Sequence, residues 1–392
     1  MKQSKHLRAA IFAGICLNFI CAGHVAAQRA VKKRAVSSSR SSAQLARNAA
    51  RDRDIAAHFA PIFYQGLGNR KIQDYITNFD FDGDWRGDNN WANAEDTRFP
   101  RRAYIYYAVS ETPTHFLIHY AIFHPRDYKG GQTSGAILSR VIREGARRGG
   151  RYDPTGLSGE AVLAHENDME GCLVVAAKAG ADYRLARVAF VETVAHDRFN
   201  KYVAEAETVE VKKSEFALVR LESGRPLLYV EPKGHGVYAY DAREKQTSTN
   251  DLLIYKFAGR ADDPAKSSAS EVGYELLPIS TTIWPRARGG VNQTFGATYN
   301  YGKRTYAVAQ TATRAVKRVA TLGTLGAAFR GKQGAPNMAR PPWGWFDRGE
   351  RKQAHGEWFF DPAATVKRHF KLDDAFSVAY THAPFLSVLR KL

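Results

Sequence analysis

The run from residue 101 to 127, "RRAYIYYAVSETPTHFLIHYAIFHPRD", limits the fold more than any other feature. Aromatic and aliphatic residues recur with a period of two on both sides of a turn, "SETPT". That alternation is the signature of paired strands with one face in a core. Further stretches read the same way: "GCLVVAAKAG", "YRLARVAFVETVAHDR", "PLLYVEPKGHGVYAY" and "DLLIYKFAG". Short strands separated by Gly/Pro turns predict a mainly β protein, an antiparallel β-sandwich over residues 55–290. Within the first pair, Pro125 lacks a ladder donor and is expected to end its strand. Asp127 then projects from a rigid strand end.

The termini set the compartment. "MKQSKHLR" is basic, "AAIFAGICLNFICAG" is apolar, and Val25-Ala26-Ala27 offers a small-residue cleavage site, so residues 1–27 read as an export signal. Secretion or a periplasmic location is expected. No later stretch reaches 18 apolar residues, so no transmembrane helix is expected in the mature chain. Two of the three cysteines leave with the signal. Cys172 then has no partner for an internal disulfide. Residues 28–54 are basic and serine-rich, as in a flexible arm. The net charge of +18 implies a polyanionic partner, an anionic lipid or glycan surface; export disfavours nucleic acid. A monomer is expected.

Two segments depart from the strand pattern. Residues 128–164 contain "SGAILSRVIREGARRGG", whose spacing predicts a helical insert. Residues 291–392 form an extension. In it, Val308, Ala312, Val316, Val319, Leu322, Leu325 and Phe329 recur with helical periodicity opposite Arg314, Lys317 and Arg318. A basic amphipathic helix is expected, packed on its own domain or lying on a membrane. The following segment concentrates Trp343, Trp345 and Trp358, residues of a core, a domain seam or a lipid interface.

Chemistry concentrates at "AHENDMEG", residues 164–171. On a strand, Asp168 and Glu170 share a face, and His165 precedes them. Two carboxylates and an imidazole crowded together demand neutralisation, which a divalent cation supplies. Oxygen donors favour magnesium, calcium or manganese. The other reading is a solvated strand end. A second acidic run, "FDFDGDWRGDNNWAN", places Asp80, Asp82, Asp84 and Asp88 at calcium-loop spacing. It departs from the EF-hand, because Trp85 stands where glycine is needed. Alternatively it is an acidic turn. Trp85 and Trp91 would suit a sugar-binding rim.

"HYAIFHPRD" and "AHENDMEGCLVVA" together resemble the necrosis- and ethylene-inducing-like proteins, whose corresponding segments read M-Y-S-W-Y-F-P-K-D and G-H-R-H-D-W-E. The wider set with vacuolar-sorting-type H-x-x-D-W-E proteins is similar too: "KGHGVYAY" resembles its G-S-H-x-x-Y segment. The resemblance implies a divalent-cation site of Asp127, His165, Asp168 and Glu170, with His235 and Tyr238 on the ligand rim. It also implies a protein that binds a lipid or glycan head group and damages membranes. Met169 and Asn167 replace the family's tryptophan and second histidine, and residues 128–164 exceed the family's loop.

Three functions follow. The first is an exported, metal-dependent head-group binder. The second is a metal-dependent hydrolase of a phosphoester or glycan, with Glu166 or His235 as general base. The third is a structural cell-envelope protein.

Overall fold

A computed structural model describes residues 45–68, 71–87, 89–127, 165–196, 198–205, 215–241, 251–267, 270–288, 341–350 and 356–385, with strand backbone also at 297–299, 305–309, 316–321 and 326–328. The expected export signal, the helical insert 128–164 and Asp88 lie outside the described residues. The chain divides into two units, Met1–Asp54 and Ile55–Leu392. Residues 45–58 are helical (α1), so the end of the segment expected to be a flexible arm is regular structure. None of the described helices is long and apolar enough to cross a membrane.

The strands are β1 (Ile62–Gly66), β2 (Tyr104–Glu111), β3 (His115–Asp127), β4 (His165–Ala177), β5 (Arg187–Val194), β6 (Phe199–Ala204), β7 (Ala217–Val219), β8 (Leu221–Glu222), β9 (Arg225–Val230), β10 (Val237–Ala239), β11 (Leu252–Phe257) and β12 (Glu271–Pro278). They form one sheet in the order β10-β9-β1-β11-β12-β2-β3-β4-β5-β6-β7. Its ends are tied together by a few consecutive residues. β7 pairs with β6 at one edge, and β8, one residue later, pairs with β9. Leu227 N donates to Arg220 O (2.9 Å) at the seam. The expected two-layer sandwich is therefore corrected to a single sheet curled into a nearly closed barrel. Strand alternation specifies a buried face but does not say whether a second sheet or the same sheet covers it. The β1/β9, β11/β12, β12/β2 and β6/β7 pairings are parallel, which the antiparallel reading also missed.

The inner face carries Phe63, Ile105, Ile118, Tyr120, Cys172, Val174, Leu228 and Tyr255, with Ile55, Ala56 and Phe59 filling the same core. Tyr120 Oη donates to Ala56 O (2.6 Å) and Tyr274 Oη to Pro61 O (2.7 Å), satisfying the phenols that burial would otherwise strand. The outer face of β2–β6 presents Leu117, Phe123, Leu173 and Phe190. Trp343, Trp345, Trp358, Phe359, Phe360 and Phe370 cover it. The tryptophan-rich segment is thus core. Beside α3 (Ile283–Arg288), it includes α4 (Glu357–Phe360) and α5 (Pro362–His369). The expected amphipathic helix is not confirmed; of its apolar positions, Ala312, Leu322, Leu325 and Phe329 lie outside the described residues. The described backbone there is strand: β13 (Ala297–Tyr299) pairs with β16 (Gly326–Ala328), and β14 (Thr305–Ala309) with β15 (Val316–Thr321). Thr305, Val308, Val316, Val319 and Thr321 are β-branched, and that local preference outweighs the apolar period.

The longest ladder aligns the chemistry. β3 and β4 pair from His115↔Ala177 to Asp127↔His165. Thr112 Oγ1 accepts from Thr114 N (3.3 Å) and His115 N (3.0 Å), closing the β2–β3 turn and setting the register. The strand does not end at Pro125. The ladder skips that residue, and Asn167, which stands opposite it, takes a left-handed φ of 60°.

Candidate functional site

Past Ala121 the second edge of β3 is no longer covered by β2, and Thr77 bridges to Phe123 instead. The segment before Thr77 therefore lies against the β3 end. Its Asp74 was not singled out by sequence. Asp74 Oδ2 accepts from Gly68 N (2.6 Å) and Oδ1 from Lys233 N (2.7 Å). Across from it, β4 supplies Asp168. His235, near the end of the β9–β10 return, stands between the two carboxylates. Its Nδ1 is 2.8 Å from Asp168 Oδ2 and its Nε2 3.3 Å from Asp74 Oδ1.

All three side chains are buried. Burial by itself would lower the pKa of His235. The hydrogen bonds and charges of Asp168 and Asp74 override that and hold it at about 10, so the ring is an imidazolium at neutral pH. Its flat face is covered by a second imidazole. His124 stacks on it with centroids 3.7 Å apart and planes 5° from parallel. Burial, then the charge of His235, pushes the pKa of His124 well down. One ring is charged and its neighbour neutral. Gln65 Oε1 lies 3.1 Å from His124 Nε2.

The rim continues along β4. Glu170 Oε1 accepts from His196 N (3.3 Å). His196 Nε2 pairs in turn with Glu231 Oε1. A Cβ at Gly234 would lie 2.8 Å from Glu231 Oε1 and 2.9 Å from His196 Cε1, so glycine lets the loop close around this pair. Strain gathers here as well. Of six described non-glycine residues with positive φ, four belong to these segments: Asn167 (60°), His196 (50°), Lys233 (72°) and His235 (54°). Such conformations cost about 1–3 kcal/mol each and persist only where surrounding contacts over-determine them.

Asp127 is buried at the end of β3, across the ladder from the backbone of His165. Asp168 stands opposite His124 and Glu170 opposite Ile122, so the carboxylates occupy successive levels of one ladder. Among the described residues, no group of three or more His, Cys, Asp or Glu side chains is arranged to hold a metal ion. The two candidate general bases are engaged. Glu166 Oε1 accepts from Trp91 N (2.7 Å), and both nitrogens of His235 face carboxylates.

The second acidic run is a hydrogen-bonded turn. Asp82 accepts from Asp84 N (3.2 Å) and Asn93 Nδ2 (2.7 Å); Asp84 from Arg86 N (2.6 Å) and Asn89 Nδ2 (3.0 Å); Asp80 from Asn78 Nδ2 (2.8 Å). It leads into α2 (Asn90–Asn93). Trp85 packs on Phe79 (5.9 Å) under Arg286 (4.9 Å). Trp91 lies under Arg126 at 4.6 Å. The half-buried Tyr238 is the rim residue nearest in sequence to His235. Burial, then Glu231 and Glu170, raises its pKa.

Of the residues singled out by sequence, the structure brings Asp168, Glu170 and His235 into one region, and it adds Asp74, His124, Gln65, His196 and Glu231, which sequence reasoning did not propose for a site. Only His124 carried a signal, as a histidine inside an otherwise apolar strand.

No protein-family model and no curated protein matches the chain. Among solved structures, the neighbours are necrosis- and ethylene-inducing toxin-fold proteins. "Toxin fold for microbial attack and plant defense" is 14% identical, with a TM-score of 0.26, over 58% of this chain and 73% of that one. "NLPPya in complex with mannosamine" and "NLPPya in complex with glucosamine" are each 12% identical over the same shares, with TM-scores of 0.25 and 0.26. At these TM-scores neither site nor activity transfers.

Proposed function

We propose that this chain is an exported protein that binds a glycan or lipid head group beside β4, with membrane damage as the downstream effect implied by its H-x-x-D-x-E resemblance. The observation that carries this reading is the buried Asp168–His235–Asp74 arrangement. It spends desolvation and backbone strain on a fixed charge pattern, and such costs concentrate at ligand sites. Two carboxylates against one imidazolium leave an excess of negative charge, and Glu170 stands on the same strand face. A cationic group is the matched ligand, either the ammonium of an amino sugar or a divalent ion.

A cation is not required to make the cluster stable, because His235 already neutralises Asp168. Metal dependence is therefore a separate component of the proposal. The donors proposed for a cation are Asp127, His165, Asp168 and Glu170, with His235 orienting Asp168. A bound cation would supply electrostatic attraction for sugar hydroxyls or a phosphate.

Calorimetric titration of the full mature protein with glucosamine, mannosamine and glucose, each with and without chelator, tests the reading. Saturable binding of the two amine-bearing sugars, weakened by Asp168→Asn, is expected. Equal responses to all three sugars, unaffected by that substitution, would refute it.

A further inference from the structure

The barrel wall beside this site differs sharply between its faces. Inside, Phe63, Leu228, Val230 and Val237 are apolar core. Outside, the same strands are phenolic. Ladder register places Tyr238 beside Tyr229 and Tyr229 beside Tyr64, so three neighbouring strands carry tyrosine at one level. Ile254 follows on β11. Tyr240, two residues beyond Tyr238 and on the same side, folds over the row and stacks on Tyr64. Their ring centroids are 3.7 Å apart and their planes 1° from parallel. Tyr229 is buried beneath, while Tyr64, Tyr238 and Tyr240 are half-exposed. The C-terminal layer, by contrast, covers β2–β6.

Two observations indicate what such a surface takes. First, it is continuous with the site already described. A Cβ at Gly236 would sit 3.2 Å from both Tyr238 Cε2 and His196 Nε2, so glycine brings the first ring against the His196–Glu231 rim. Second, its Tyr238 end is acidic. Glu231 and Glu170 act on Tyr238, whereas at Tyr64 Glu222 is set against Lys256 and Arg220. Lys256 is itself paired, 2.7 Å from Glu271 and 3.9 Å from Glu222. Flat rings with hydroxyl tips suit the C–H faces and hydroxyl edges of pyranoses. The acidic end beside Tyr238, formed by Glu231 and Glu170, repels an anionic head group and accepts an ammonium.

We propose that Tyr238, Tyr240 and Tyr64 form a stacking platform for a short chain of amine-bearing hexoses, whose first unit sits at the Asp168–His235 site. This rests on the reading given under "Proposed function" and extends it from a single sugar to an oligosaccharide. Strands about 4.8 Å apart make the row from β10 to β1 roughly 10 Å long, more than one pyranose ring covers.

The test is calorimetric titration of the full mature protein with glucosamine and its linked dimer, trimer and tetramer. Affinity should rise by about tenfold or more from monomer to trimer. Tyr64→Ala and Tyr240→Ala should abolish that gain and leave monomer affinity unchanged. The two Phe variants, which keep the stacked rings, should retain most of it. No gain with length in the parent protein, or a gain that survives both Ala substitutions, overturns the platform while leaving the single-sugar site standing. Absence of any binding, monomer included, overturns both. Anionic vesicles without sugar that bind the parent but not Tyr64→Ala would show a lipid surface instead, and would also overturn the platform.

Discussion

The C-terminal layer is fastened by a buried histidine whose titration sets a measurable pH dependence. His369, at the end of α5, has Nδ1 2.5 Å from Glu192 Oε1 on β5 and Nε2 2.8 Å from Glu350 Oε1. Trp358 Nε1 donates to the second oxygen of Glu192 (2.6 Å), and Arg368 pairs with Glu350 (3.2 Å) and Glu357 (3.1 Å). Phe199 and Trp358 enclose the cluster. Burial lowers the pKa of His369, but Glu192 and Glu350 outweigh it and raise it to about 9. The folded pKa lies above the unfolded value of 6.5. The stabilisation is therefore complete below pH 6.5 and is lost as pH rises through 9. Its size is at most about 3.5 kcal/mol, since one pKa unit is worth about 1.4. Asp361, raised by burial to about 7, adds a loss of the same sign between pH 4 and 7. Urea unfolding followed by tryptophan emission at pH 6, 7.5 and 9.5 reads the effect. His369→Gln should be destabilised at pH 6 by about 3–5 kcal/mol, because Glu192 is left buried without its cation. It should also flatten the decline between pH 6.5 and 9, leaving only the part that His235, held at about 10, contributes with the same sign. If the variant keeps the same decline as the parent, His369 is not the titrating group and the reasoning fails.

Arg126→Ala should cost about 2–3 kcal/mol in the same assay, since the buried guanidinium donates from Nε to Trp91 O (2.7 Å), pairs with Glu95 (2.8 Å) and covers Trp91. Proteolysis should then cut first near α2. Gly171→Ala should fail to fold at 37 °C, because its Cβ would lie 2.1 Å from Tyr120 O and 2.9 Å from Trp345 Cη2; a soluble variant with the parental melting temperature would contradict the register. Chelation is expected to lower the melting temperature and added calcium, magnesium or manganese to restore it, by mass action on the folded state, with Asp168→Asn abolishing both effects. Binding to anionic liposomes should weaken steeply between low and high salt, since the attraction is screened beyond about 8 Å at physiological ionic strength. Equal binding to neutral liposomes at every salt concentration would remove the membrane from the proposal.

What the sequence disclosed and what it withheld follow from the range of each interaction. Strand alternation is local, so β2, β3 and β4 were legible, and so was the shared face of Asp168, Glu170, Cys172 and Val174. Closure of the sheet was not, because it depends on β7 and β8, three and two residues long, reaching opposite edges around Arg220. Pro125 misled for a related reason. Proline forbids one ladder bond, and the structure absorbs that loss at a single place. Asn167 opposite turns left-handed and spends its side chain on Gly87 O (2.7 Å) and Asn90 Nδ2 (2.7 Å), so the strand continues to Asp127. The site shows the same limit at longer range. Three acidic and imidazole groups near residue 168 raised the question of what neutralises them, and a metal ion was the answer available from neighbours in sequence. The resemblance of "KGHGVYAY" put His235 on the rim, but it lies 67 residues from Asp168 and 161 from Asp74, and no local pattern pairs it with either carboxylate. Once the barrel sets these segments side by side, an imidazolium faces Asp168, a partner that neighbours in sequence do not disclose. The remaining negative charge then belongs to the ligand's side of the argument, and that excess is why an ammonium-bearing sugar is the first probe to try.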